Sequence, residues 1–151
     1  MDGIKKKEPV IFVHPDLNTL PINKIKSKGV GKTLTVKLSD SIEPSLAAKG
    51  QFIFENRCAS CHKLTDQRLV GPGWEEITTS RRPEWILNMI TNTNEMLEKD
   101  SEAKVLLEDC LTRMPNQNVT LEEARAILEF MRKNDLERLR DKDETFYQFH
   151  K

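Results

Sequence analysis

The stretch that most constrains this chain is Arg57-Cys58-Ala59-Ser60-Cys61-His62-Lys63. Two thiols stand three residues apart, and an imidazole follows the second directly. A zinc site of the usual kind takes four ligands, often as two close pairs. The remaining cysteine, Cys110, stands alone, and His14 and His150 lie in the terminal regions. A thioredoxin-like dithiol sits between a strand and a helix of an α/β pattern, whereas this motif follows a helical stretch in a region without sheet pattern. A disulfide across so short a span closes almost no loop and stabilises little. Covalent haem attachment uses all three residues at once. The thiols add to the two vinyl groups and form thioethers, the intervening pair sets their separation, and His62 is held beneath the ring within reach of the iron.

A histidine below the ring calls for a second axial ligand from elsewhere in the chain. The candidates are Met89, Met96, Met114, Met131, His14 and His150. Met89 and Met131 fall on helical apolar stripes and read as core. Met96 lies in the polar stretch Asn92-Thr-Asn-Glu-Met96 and is a weaker rival. Met114 stands in Thr112-Arg-Met-Pro-Asn-Gln-Asn118, which has no apolar periodicity. Pro115 stiffens the backbone there and biases Met114 toward an extended conformation. Met114 is therefore the expected ligand. Two haem propionates would need donors, and Arg81, Arg82 and the indole N–H of Trp85 are candidates. The alternative for these three is equally open: solvated arginines ahead of a helix and a tryptophan in the core. Trp74 reads as a pocket wall, Cys110 as a small buried hydrophobe, and His14 and His150 as surface residues.

The rest of the chain divides into three regions. Residues 1–43 form a Lys-rich extended arm. Pro9, Pro15 and Pro21 interrupt it, and Leu34, Val36 and Leu38 alternate in the manner of one short strand. An arm of this kind is expected to be peripheral, so that residues 1–40 could be removed without changing a haem spectrum. Residues 44–134 carry helical patterns and no credible sheet pattern, so the expected fold is all-α. Ser45 is placed to cap a first helix running to Asn56. Pro83 and Glu84 suit the first turn of another. A third is expected over 101–111. Thr120-Leu-Glu-Glu123 is a capping box ahead of Ala124, Ile127, Leu128 and Met131. Residues 135–151 form a charged extension that continues this last helix or frays. The formal net charge is zero, which argues against a nucleic-acid binder. It conceals nine Lys against five acidic residues in 1–50 and fifteen basic against nineteen acidic residues beyond. No apolar run approaches the roughly 20 residues of a membrane span. The first residues, with lysines but no apolar core behind them, do not make an intact secretory signal.

Taken together, residues 45–133 resemble the class I c-type cytochromes, which are monohaem, mostly helical electron carriers with His/Met ligation. The resemblance rests on Gly50 and Phe54 before Cys58-Ala-Ser-Cys61-His62, on Leu69-Val-Gly-Pro72, on Met114-Pro115 and on the helix from Thr120 to Met131. It implies a cytochrome c fold of three to five helices around one haem c bound through Cys58 and Cys61. It implies that a glycine at Gly50 lets the first and last helices cross closely. It implies that the Pro72 carbonyl accepts the N–H of His62, and that His62 and Met114 hold the iron. The implied role is single-electron transfer between protein partners of a respiratory chain, with no enzymatic activity of its own. The implied location is the periplasm, reached by a signal absent from this chain, with a lipid tether upstream as an option. Gly71-Pro-Gly-Trp74, Arg81-Arg-Pro-Glu-Trp85 and Arg113-Met-Pro-Asn116 further resemble small respiratory cytochromes that serve denitrification as donors to nitrous oxide reductase. The competing reading is a haem-based gas sensor or peroxidase-like enzyme with a labile distal methionine.

Overall fold

A computed structural model describes residues 27–149. Six helices follow one another: α1 (Pro44–Arg57), α2 (Ile77–Ser80), α3 (Pro83–Thr91), α4 (Thr93–Lys99), α5 (Ser101–Cys110) and α6 (Leu121–Phe149). No strand occurs among the described residues; the one β-bridge, between His62 and Arg68, is isolated. None of the helices is long and apolar enough to cross a membrane.

The frame of the molecule is the crossing of α1 on α6. Ala47, Gly50, Ile53 and Phe54 form the buried face of α1. They meet Ala126, Ile127 and Phe130 of α6, all buried. A Cβ on Gly50 would run into the Ala126 carbonyl and come within 2.9 Å of the Phe130 Cβ. Only glycine lets the two backbones approach this closely. The Phe54 ring lies 5.4 Å from that of Phe130 and 4.8 Å from that of Trp74, which links the crossing to the loop after Cys61. Each such side chain, fully buried, contributes about 2 kcal/mol of hydrophobic stabilisation.

Helix starts follow the local chemistry. Pro83 opens α3 with Glu84 in its first turn. Asp100 caps α5 by accepting the Ala103 N–H at 2.9 Å. The capping box of α6 is complete: Thr120 Oγ1 accepts the Glu123 N–H at 3.1 Å, and Glu123 accepts the Thr120 N–H at 2.8 Å. At α1 the expected cap is displaced. Pro44 already occupies the first helical position, so the cap falls on Glu43 rather than Ser45. The Glu43 N–H goes instead to Glu129 of α6, at 3.0 Å. The helix α6 runs without interruption through residue 135 to Phe149.

Two expectations fail. The strand at 32–38 is absent: Val36 and Leu38 do pack half-buried against the core, but Leu34 is 70% exposed while its neighbour Thr33 is buried, and the segment joins no ladder among the described residues. The backbone of Thr33 finds a side chain instead of a partner strand. Asn88 Oδ1 accepts its N–H at 3.1 Å, and Asn88 Nδ2 donates to its carbonyl at 3.0 Å. The arm from Ser27 onward is also not peripheral. Asn88 and Asn92 donate to the carbonyls of Lys28 and Val30, Ser27 donates to Asp100 at 2.7 Å, and Arg132 donates to the Ser39 carbonyl at 2.7 Å. The proline-bounded run 9–15 and His14 lie outside the described residues, as does His150.

Candidate functional site

At the end of α1 the backbone tightens into turns that carry the motif. The Cys58 N–H returns to the Phe54 carbonyl, and both Cys61 and His62 donate to the Cys58 carbonyl, at 3.0 and 2.9 Å. One turn thus presents both thiols and the imidazole. All three cysteines of the described chain are free thiols. Cys58 is buried and Cys61 half-buried. Burial pushes the Cys58 thiol up to about 11, with Arg57 opposing and Cys61 adding to the shift. It is therefore a protonated, apolar-set thiol rather than a free nucleophile.

His62 is fixed from one side. Its Nδ1 lies 2.8 Å from the Pro72 carbonyl oxygen. A carbonyl only accepts, so Nδ1 carries the proton. Burial holds the imidazole below its ordinary value, and the Pro72 contact works weakly the other way. The ring is thus neutral near pH 7 and keeps its Nε2 lone pair as a ligand. The Gly71 N–H donates to the Cys61 carbonyl at 2.8 Å, and a Cβ on Gly71 would collide with the imidazole. Glycine is required there because the loop lies directly against the ring. Trp74, buried, lies at a tilt against His62 with ring centroids 5.4 Å apart. Leu69 and Val70, on the same loop, are exposed apolar groups.

Met114 sits half-buried and packs against the hydrophobic core. Its loop begins at Leu111, in the left-handed region at φ 58°. The loop is tied down on both sides of the methionine. Arg113 donates to the Asn94 carbonyl at 3.3 Å, and the Gln117 carbonyl accepts from Arg57 at 3.1 Å. The second contact joins the methionine loop to the residue before Cys58. Met96, the weaker rival, is fully buried in α4 and accepts the Val30 N–H through its sulfur at 3.0 Å. Met131 is buried and Met89 half-buried against the core.

Arg81, Arg82 and Trp85 have protein acceptors. Trp85 is buried, and its indole N–H donates to Asp100 at 2.9 Å. Burial raises the Asp100 carboxyl, but donors from Trp85, Ser27 and the α5 N-terminus outweigh it, so its net shift is downward. Arg81 pairs with Glu102 at 2.7 Å and lies over the Trp85 ring at 4.8 Å. Arg82 pairs with Glu84 at 3.3 Å. Sequence reasoning supplied the donors but not Asp100 and Glu102, which stand at the N-cap and in the first turn of α5. Cys110 is half-buried at the end of α5, more open than expected.

The donor set fits a covalent haem. Two free thiols lie on one turn, and the imidazole has its Nδ1 engaged and its Nε2 left to coordinate. A thioether stands in a braced loop, and the loop beside the histidine is apolar. No group of three or more His, Cys, Asp or Glu side chains that could hold a metal ion by themselves occurs among the described residues.

Residues 47–135 match the family model for cytochrome c. No curated protein sequence matches the chain. Among solved structures, the chain is similar to cytochrome c from Rhodothermus marinus, at 34% identity and a TM-score of 0.67, over 70% of this chain and 90% of that one. It is also similar to an engineered form of that cytochrome, at 31% identity and a TM-score of 0.67, over 80% of this chain and 98% of that one. A third likeness is the engineered form bound to a carbene intermediate, at 32% identity and a TM-score of 0.65 with the same coverage. Covering well over half of the chain, these matches settle the family: the protein is a cytochrome c, a haem c protein with thioether attachment at Cys58 and Cys61.

Proposed function

We propose that this cytochrome passes single electrons between respiratory redox proteins, and that His62 and Met114 are the residues that would hold the haem iron. The family's general role, that of a monohaem electron carrier with redox protein partners, is this chain's as well. Bound haem supplies one Fe(III)/Fe(II) couple. The chain's own residues do the rest. Cys58 and Cys61 anchor the group, and His62 offers a neutral imidazole of set orientation. Met114 offers a soft thioether, which favours the reduced metal and raises the potential. The observation that carries the reading is the 2.8 Å contact between His62 Nδ1 and the Pro72 carbonyl, which orients the histidine and leaves only Nε2 to coordinate. Trp85 enters this reading as a structural residue, because Asp100 already takes its one indole N–H, whereas Arg81 gives one guanidinium nitrogen to Glu102 and keeps further donors. The periplasm as location and a nitrous oxide reductase as acceptor rest on the sequence resemblance.

Met114→Ala tests the ligand assignment against the sensor alternative. The variant should keep covalent haem, fall in reduction potential and bind CO rapidly when ferrous, while the parent protein resists CO. An unchanged potential in the variant would remove Met114 as ligand. Rapid CO binding by the parent would favour a sensor.

A further inference from the structure

Helix α6 continues well past residue 135, where the family match ends. Its C-terminal half is not idle. Asn134, Asp135 and Lys142 all reach the loop that carries His62 and Pro72. The Asn134 amide donates to the Leu64 carbonyl at 3.0 Å. Asp135, buried, accepts the Glu76 N–H at 2.7 Å, the Thr78 N–H at 2.9 Å and the Thr78 hydroxyl at 2.6 Å. Lys142 stands two helical turns further along the same face. It bridges Glu75 at 2.7 Å and Glu76 at 3.0 Å. These contacts grip the two limbs of one long loop. One limb runs from His62 through Leu64 and Thr65, the other from Pro72 through Glu76.

The limbs are laced together between those grips. Trp74 donates to the Lys63 carbonyl at 2.9 Å, and Glu75 accepts the Asp66 N–H at 3.2 Å. Glu76 is held in the left-handed region, at φ 62°. A glutamate there is strained by roughly 1–2 kcal/mol and persists only where its surroundings hold it. The carboxylate of Asp135 and the ammonium of Lys142 are those surroundings.

We propose that the C-terminal half of α6, through Asn134, Asp135 and Lys142, is a positioning brace that sets the hydrogen bond between His62 and the Pro72 carbonyl. The proposal rests on His62 as an iron ligand. A tight Nδ1–H···O=C bond makes the imidazole a stronger donor and favours the oxidised metal. Loosening the loop weakens that bond and raises the potential. Charge acting through space behaves differently. Removing the negative Asp135 raises the potential, but removing the positive Lys142 lowers it. The brace requires a rise in both cases.

The test uses the holoprotein with Asp135→Asn, Lys142→Met and Lys142→Arg, read by reduction potential and by solvent exchange of the His62 ring N–H in NMR spectra. The expected result is a higher potential for the first two, with N–H exchange faster by about tenfold in Asp135→Asn. In Lys142→Met the acceleration is roughly threefold, since an exposed ion pair is worth little. Lys142→Arg keeps both bridges and stays at the parent values. Lys142 is exposed, so its variants remain informative even if Asp135→Asn does not fold. A potential that falls or stays still in Lys142→Met, with unchanged exchange, would overturn the brace. Ferric parent protein whose His62 ring protons show no paramagnetic shift would instead overturn the ligand assignment and the brace with it.

Discussion

Glu129 is the residue on which most of the fold converges. It has no exposed surface, yet it is an acid. Burial alone would push its carboxyl up. The Glu43 N–H and the Arg125 and Arg132 guanidiniums outweigh that, so its net shift is downward. Three segments meet there: the arm through Arg132 and Ser39, the cap of α1, and α6 itself. A carboxyl whose folded value lies below its unfolded one stabilises the protein above about pH 4.3, the ordinary glutamate value. That stability is lost as pH falls through the lower folded value. Glu129→Gln should therefore cost about 3 kcal/mol at pH 7, because it leaves Arg132 buried without its charge partner. It should also flatten the acid side of the stability profile, as denaturant titrations carried from pH 7 down to about pH 2.5, through the lowered folded value, would show. At the residue scale the sequence announced the chemistry only where it is local. The two thiols and His62 lie within one short motif, and Met114 is marked by the Pro115 beside it. Glu129, Asp135 and Asp100 look like surface acids at helical positions, because each also has a partner that stands 15 to 86 residues away.

Helices announced themselves where periodicity and capping agreed. The starts of α3 and α6 follow Pro83 and the Thr120 box, and α5 ends within a residue of its expected limit. The short helices α2 and α4 were not anticipated. The N-terminal donors of α2 are satisfied by Asp135 from another element, and α4 buries Thr93, Met96 and Leu97 inside a polar-looking stretch. The supposed strand misled for a related reason. Its alternation is real in the sequence, but no second segment among the described residues offers a ladder, and Asn88 takes the backbone of Thr33 instead. The arm is consequently part of the domain. Deleting residues 1–40 would strip Asn88, Asn92, Asp100 and Arg132 of their arm partners. The covalent haem should survive this deletion, while the thermal midpoint should fall by roughly 10 °C or more. A midpoint within a degree or two of the parent's would show that the arm adds nothing to the fold.

Viewed whole, the molecule is a crossing of two helices, α1 and α6, that carries a loop from each end of its chemistry. One helix delivers Cys58, Cys61 and His62. The other stands behind the histidine loop and follows directly on the methionine loop. Three thiols in the chain make the central claim countable. Holoprotein prepared in a host able to attach haem is denatured, treated with an excess of alkylating reagent, and its intact mass is measured. The account predicts the polypeptide plus one haem plus a single alkyl group, at Cys110, because Cys58 and Cys61 are already thioethers. A colourless chain at the bare polypeptide mass carrying three alkyl groups would contradict it.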